Sequence, residues 1–157
     1  MSTKAKTLKN GLILLVDKEH EHLLNCSWWV DTRQDIRYAR DSRGRYLHRI
    51  VMGLKQGDRI QVDHINGNGL DCRMENLRIA TNAENRRNSK KHSDSTSPYK
   101  GVYLNRMRNG WRAAICHQRK QISLGNRFAT AEEAALAYNE AALRLHGRFA
   151  RVNHFST

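Results

Sequence analysis

The chain has 157 residues, enough for one ordinary domain or two small ones, and carries 28 Lys and Arg against 15 Asp and Glu, a net charge of +13. Such an excess is the footprint of a nucleic-acid binder, because counterions released from phosphates drive affinity that does not depend on base sequence. The apolar run Leu12 to Val16 is too short to span a bilayer and no basic amphipathic helix stands out, so a membrane is excluded as the expected partner.

No small-residue cleavage site follows that apolar run, so the start does not read as a signal peptide and an intracellular, cytoplasmic protein is expected. Cys26, Cys72 and Cys116 lie far apart with no C-x-x-C pair, which argues against a zinc knuckle and against a disulfide framework.

Residues Met1 to Asn10 are polar and basic and are expected to fray. Gly11 to Val16 reads as a strand, and Asp17 opens a short helical turn carrying Leu23 and Leu24. Cys26 to Val30, Ile36 to Arg40 and Arg45 to Leu47 are rich in β-formers with turn signals between them, and together they predict an antiparallel meander. Arg33, Arg37, Arg40, Arg43 and Arg45 on that meander are candidate DNA contacts. Leu47-His48-Arg49-Ile50-Val51 resembles a run that precedes the active site in one enzyme family, which makes His48 tempting as a second catalytic histidine, but a structural or backbone-contacting role is preferred for it.

Arg59 to Lys91 carries the densest chemistry: RIQVDHINGNGLDCRMENLRIATNAENRRNSKK. Asp63 and His64 end a strand-like run, a Gly/Asn-rich loop follows, and Leu77 to Ala80 reads as a second short strand. Thr81-x-x-Glu84 has the form of a capping box, which puts Asn85 at the end of the first helical turn. Hydrolysis of a phosphodiester needs a base for water and a cation for the leaving oxygen. His64 can be the base, since imidazole titrates near neutral pH. Asp63 offers the hard oxygen that magnesium or manganese prefers. Each fragment alone is a common surface feature; the ordered set is far more specific.

The run DHINGNGLDCRMENLR resembles the HNH (His-Me finger, ββα-metal) nucleases, above all the phage and intron-type members with a D-H-x-N-G-N-x-x-D-N-R-x-x-N-L-R pattern. The resemblance implies His64 as general base, Asn76 hydrogen-bonding and orienting it, and Asp63 with Asn85 holding one divalent metal, Mg or Mn. Cys72 stands where the family usually has Asn, and the third signature residue is Asn85 rather than His, an H-N-N variant. The pattern LVDKEHEHLLNCSWWV is similar to the accessory region that often precedes this type.

The helix opened by Thr81 is expected to run through Arg86, Arg87, Lys90 and Lys91, placing Arg86 and Arg87 for phosphate contacts. His92 to Pro98, with the only proline, reads as a linker. Lys100 to Leu104, Gly110 to His117 and Lys120 to Gly125 alternate like three strands, with a turn at Arg108-Asn109-Gly110. A helix follows: Thr130 to Glu133 is another capping box, Ala134, Ala137, Tyr138, Ala141 and Leu145 share one face, and Gly147 is the stop. Alternation sends Trp111, Ala113 and Ile115 to the helix and leaves Arg112, Ala114, Cys116 and Gln118 on the opposite face.

Tyr99 to Phe155 resembles the plant Apetala/ethylene-response-factor (ERF) type DNA-binding domain, whose three-stranded sheet lies in the major groove. That implies groove docking with Lys100, Tyr103, Arg106, Arg108, Arg112, Arg119 and Lys120 at the DNA. Tyr103, Cys116, Gln121 and Ser123 depart from the Arg and Trp usual there, and Asn139 replaces Asp, so the base sequence read by plant proteins does not carry over.

The expected class is α+β: a small N-terminal β meander plus a ββα-metal unit, then a three-stranded antiparallel sheet on one helix. The expected division is 1–58 accessory, 59–91 nuclease core, 92–98 linker and 99–157 DNA-binding domain. The reading is a homing-type DNA endonuclease of a phage or mobile element, in the host cytoplasm if phage-encoded. It would act on double-stranded DNA as a monomer or DNA-induced dimer, with no small-molecule cofactor. The rival readings are a DNA-binding regulator or architectural protein on a degenerate HNH scaffold, and an RNA-directed nuclease.

Overall fold

Thr3–Thr7, which reads as a frayed basic tail, is strand β1: in the computed structural model it pairs antiparallel with β2 (Ile13–Asp17), Thr3 opposite Asp17 and Thr7 opposite Ile13. Its own residues are polar because the apolar face of this ribbon comes from β2, where Leu14 and Val16 are fully buried. Lys6 anchors the strand, its Nζ donating to the carbonyls of Leu24 (2.6 Å) and Cys26 (2.8 Å). Residues 2–32, 36–91 and 95–155 are described, the Arg108 side chain excepted; Arg33 and the linker residues 92–94 lie outside them.

The chain divides into two units, Met1–Asn85 and Arg86–Thr157. In the first, a 3-10 helix (Lys18–Asn25) follows β2, and β3 (Trp29–Asp31) pairs antiparallel with β4 (Tyr38–Arg40). The expected three-strand meander is therefore a single two-stranded ribbon. Tyr46 forms only an isolated bridge with Arg40, and Leu47–Val51 is a helix, α1, rather than part of a strand. Arg49 fixes the exit of that helix, donating to the carbonyls of Ile60 (2.6 Å) and Asp58 (2.8 Å).

β5 (Gln61–His64) and β6 (Leu77–Ala80) then form a third antiparallel pair, followed by helix α2 (Asn82–Asn88). The capping box is made as expected: Thr81 N donates to Glu84 Oε2 at 2.8 Å, and Glu84 N to Thr81 Oγ1 at 3.2 Å. The helix ends at Asn88, before Lys90 and Lys91. One hydrophobic centre serves all these pieces, running through Leu14, Val16, Leu24, Trp28, Leu47, Val62, Leu70 and Leu77. Residues before and after Asp58 thus share a single core, since neither side has enough apolar surface for its own.

The second unit is a three-stranded antiparallel sheet of β7 (Val102–Asn105), β8 (Gly110–His117) and β9 (Lys120–Phe128) under helix α3 (Ala131–His146). The helix presents Ala134, Ala135, Tyr138, Ala141 and Ala142 to Val102, Ala113 and Ile115, and small residues let its backbone sit close. Gly101 shows how close: at φ +75°, an added Cβ there would collide with the Tyr138 ring. Thr130 caps α3, accepting from Glu133 N at 3.1 Å, and Gly147 ends it at φ +53°. The tail is pinned by Asn139 and Asn153, which exchange hydrogen bonds of 2.9 and 2.7 Å.

The class is α+β, with small antiparallel sheets and one C-terminal helix on a three-stranded sheet. No helix among the described residues is long and apolar enough to cross a membrane.

Candidate active site

The β5–β6 ribbon sets the site. Across it Asp63 faces Arg78 and His64 faces Leu77. The loop between the strands holds its shape through its own Asn and Asp side chains, which is why the sequence needs them there. Asn68 N donates to Asn66 Oδ1 (2.8 Å), Leu70 N to Asn68 Oδ1 (3.1 Å), and Asn66 Nδ2 to Asp71 Oδ2 (2.9 Å). Asp71 is buried and gripped by Arg73, at 2.8 Å to Oδ1 and 2.7 Å to Oδ2. Burial pushes its carboxyl up, but the Arg73 guanidinium and the Asn66 amide outweigh that and hold it below the usual range. β2 staples the loop from outside, through Leu15 N to Leu70 O (2.9 Å), Cys72 N to Leu15 O (2.8 Å) and Met74 N to Asp17 Oδ2 (2.7 Å).

Asn76 braces this loop. Its Nδ2 donates to the Asp71 carbonyl at 2.8 Å and its Oδ1 accepts from Asn66 N at 3.0 Å. The expected bond from Asn76 to the His64 ring is therefore replaced by two bonds to loop backbone. Asn76 shapes the segment that follows His64.

His64 itself is almost fully enclosed, 2 % exposed. Burial lowers its pKa to about 4, against the pull of the Asp63 and Asp71 carboxylates toward the charged form, so the imidazole is neutral at pH 7. Two rings pack against it and a third backs them. His48 meets it edge-on with centroids 4.9 Å apart, Tyr38 lies at 5.5 Å, and Tyr46 stacks on His48 at 5.7 Å. Burial, then His64 and Arg49, lower the His48 pKa to about 3. The Tyr38 hydroxyl is raised by burial and then by the Asp63 charge.

Asp63 is 5 % exposed and its Oδ2 accepts from Arg78 Nε at 2.8 Å and Nη2 at 2.6 Å. Asn85, on the first turn of α2, donates Nδ2 to Gln61 Oε1 at 3.3 Å. A carboxylate and an amide carbonyl are hard oxygen donors of the kind divalent cations such as magnesium prefer, although Asp63 Oδ2 already accepts from Arg78. Cys72 belongs to the core and not to such a set: burial pushes its thiol up, so it stays protonated. Asp17, Glu19 and His20 also come together, with ligand atoms within 4.8 Å of one another, although Asp17 already accepts the Met74 N–H.

Sequence reasoning missed Arg78 and the Tyr38–Tyr46–His48 ring group. Arg78 could have been found by pairing the two short strands about the loop, which sets it opposite Asp63.

In the second unit the expected faces hold: Ala113 and Ile115 are buried, Trp111 is half-buried, and Arg112 and Cys116 are exposed. Tyr103 and Arg112 pair across β7 and β8, with the guanidinium 5.1 Å from the ring. Arg106, Arg119 and Lys120 are exposed, as is Arg86, while Arg87 is partly buried. Lys100 differs from the expectation, because its Nζ donates to the carbonyls of Arg87 and Ser89, both at 2.6 Å. Burial, then Arg151, lowers its pKa to about 8. The Arg108 side chain lies outside the described residues.

Residues 45–87 match the HNH endonuclease family, a span that takes in His48, Asp63, His64, Asn76 and Asn85. Protein 3.8 of Escherichia phage T7 is 37% identical over 90 residues, 57% of this chain and 73% of the phage protein. No solved structure matches. The chain thus belongs to one protein family with the phage protein, and it carries an HNH endonuclease domain.

Proposed function

We propose that the chain is a metal-dependent endonuclease of double-stranded DNA, of the homing type and borne by a phage or mobile element. The observation that carries the reading is His64: a buried imidazole kept neutral beside Asp63, at the end of the strand that leads into the braced loop. A neutral imidazole in a nuclease domain has the protonation state a general base needs.

In this reading His64 takes a proton from water, which attacks the phosphorus in line as the 3′ oxygen departs. Asp63 and Asn85 would hold one divalent cation, magnesium or manganese, whose charge offsets that developing on the departing oxygen. Asn76 keeps the loop in register, and Arg78 keeps the Asp63 carboxylate in place. The products are 3′-hydroxyl and 5′-phosphate ends. One such centre cuts one strand, so a monomer nicks and a double-strand break needs a DNA-induced dimer or a second binding event.

Residues 99–157 act as an ERF-type module that holds the enzyme on the duplex, with 1–58 as accessory region and 59–91 as nuclease core. The exposed sheet face bearing Tyr103 and Arg112 supports groove docking, and Arg86, Arg106, Arg119 and Lys120 supply phosphate contacts. The site of action is the cytoplasm of the host cell.

Incubating supercoiled plasmid with the protein, with and without magnesium or manganese, tests the reading. Metal-dependent conversion to nicked circles, absent in His64→Ala, is the expected result. The rival, a DNA-binding scaffold without activity, draws support from the Arg78 grip on Asp63. Plasmid binding with no nicking under any divalent cation would establish that rival.

A further inference from the structure

Both ends of the Asn76 amide bond loop backbone, and the His64 ring also has packing neighbours that bear on its orientation. The structure surrounds it with rings from elsewhere in the chain. His48 comes from α1, Tyr38 from β4, and Tyr46 from the residue preceding α1. The His48 and His64 planes meet at 76°, the edge-to-face arrangement in which a ring edge sits against a π face. Tyr38 touches both histidines, at 5.5 Å from His64 and 5.1 Å from His48. Tyr46 stacks on His48 at 27° and reaches Asp31 Oδ2 through its hydroxyl at 2.9 Å, which fixes the outer wall.

Two features set His48 apart from an ordinary core residue. Its Nδ1 is buried, and among the described residues no group hydrogen-bonds to it, so that side of the ring serves by its shape. It is 8 % exposed, on a helix of only five residues whose position is fixed by the Arg49 bonds to Asp58 and Ile60. The helix therefore delivers one flat side chain to the flank of His64 from a fixed base. His48 and Tyr38 are themselves only 5.1 Å apart, so the two flat rings together wall one flank of His64, and in a close-packed interior that wall closes the staggered rotamers that would enter it.

We infer that His48, with Tyr38 beside it, is a positioning residue for His64: ring packing confines the His64 imidazole to one rotamer. The inference rests on the nuclease reading only for its consequence on rate. The confinement itself is a property of the protein without metal or DNA. His48 acts through His64 and has no part in proton transfer.

The test uses the full chain with two replacements: His48→Phe keeps a ring without nitrogens, and His48→Leu keeps comparable bulk without a ring. The first readout is the set of three-bond couplings that report χ1 of His64 by NMR, in metal-free protein, well below the melting temperature. The wild type and the Phe variant are expected to show one rotamer, and the Leu variant an average over several. The second readout is single-turnover cleavage at saturating DNA with magnesium. The Leu variant is expected to lose on the order of 10²-fold in rate, the scale of a small misplacement of a catalytic group. Its DNA affinity should be unchanged, and the Phe variant should be near wild type. A merely structural His48 would lower the melting temperature of the Leu variant and leave both readouts unmoved. His64 holding one rotamer in the Leu variant, or a Phe variant as slow as the Leu variant, overturns the inference. A wild type that never cleaves DNA refutes the nuclease reading instead, and the NMR comparison still decides the role of His48.

Discussion

Arg78 grips Asp63 from the facing strand, with Nε at 2.8 Å and Nη2 at 2.6 Å from Oδ2. Both side chains are largely buried, at 12 % and 5 % exposure, so neither charge is well hydrated. Removing the cation strands the carboxylate, which costs about 3 kcal/mol in comparable buried pairs. Arg78→Ala should lower the urea midpoint of unfolding by that order, and adding Asp63→Asn should restore part of it. Non-additivity in the four-member cycle of wild type, two single variants and the double variant is the measurement, and simple additivity would show that the pair is not coupled.

His64→Ala should slow plasmid nicking by about two to four orders of magnitude, the usual worth of a general base, while binding to the duplex stays as it was. Asn76→Ala should act differently. It leaves Asn66 N and the Asp71 carbonyl without partners inside the loop, which costs about 1–3 kcal/mol each. A thermal melt should therefore register Asn76→Ala through the loop and His64→Ala through the cavity it leaves, while cleavage falls in both. Asn76→Asp, which keeps the acceptor and loses the donor, should lie between wild type and Asn76→Ala in stability.

Two of the buried histidines, His48 and His64, make the protein acid-sensitive. His48 in the folded chain is held at a pKa of about 3, and in the unfolded chain it returns to its ordinary value near 6.5. Protons therefore bind the unfolded state better. The stability contributed by the neutral ring is fully present above pH 6.5 and is lost progressively as pH falls toward 3. At pH 5 the loss from His48 alone is about 2 kcal/mol. His64, lowered to about 4, loses stability in the same direction over pH 6.5 to 4. Urea midpoints measured from pH 7.5 to 5 should fall, and should fall less steeply in His48→Phe. A midpoint independent of pH over that range would mean that these rings are solvated.

What could be read from the sequence was what is local. The Asp63-His64 pair, the Asx-turn loop and the Thr81–Glu84 box are each fixed by residues a few positions apart, and each forms where the spacing puts it. The alternation of β8 likewise gave the two faces of the second sheet, because period two leaves no choice once one face is buried. What failed depends on distant partners. β1 has no apolar pattern of its own, and its strand character comes from pairing with β2. The β-rich composition of Arg45 to Leu47 hid a five-residue helix held by Arg49. The rings beside His64 arrive from two stretches well before it in the chain, so no spacing could announce them.

Gly69 ties the loop to those rings. A Cβ there would meet the Arg37 carbonyl, come within 2.7 Å of Tyr38 Cδ1 and within 2.8 Å of Ile36. Backbone cannot yield as a flexible side chain tip can. Gly69→Ala should therefore destabilise by about 1–3 kcal/mol, as overpacking does, and push Tyr38 off the His64 ring. The check is a urea midpoint together with the nicking rate; an unchanged pair of values would mean that the loop backs away without disturbing Tyr38.

Lys100 and Arg112 separate structure from binding in the second unit. The Lys100 ammonium sits on the carbonyls of Arg87 and Ser89, while Arg112 lies exposed over Tyr103 on the open sheet face. If that face docks in a groove, Arg112→Ala should weaken duplex binding and reduce the slope of log affinity against log salt by about 1, the share of one phosphate contact. Its melting temperature should hold. Lys100→Gln should do the reverse, lowering the melting temperature because the part-buried Arg87 carbonyl and the Ser89 carbonyl lose a charged donor, and leaving the salt slope alone. Titrating labelled duplex at several salt concentrations with each variant decides between them. A salt slope that drops in Lys100→Gln and not in Arg112→Ala would place the DNA on the Lys100 side of the unit and remove the open sheet face from the interface.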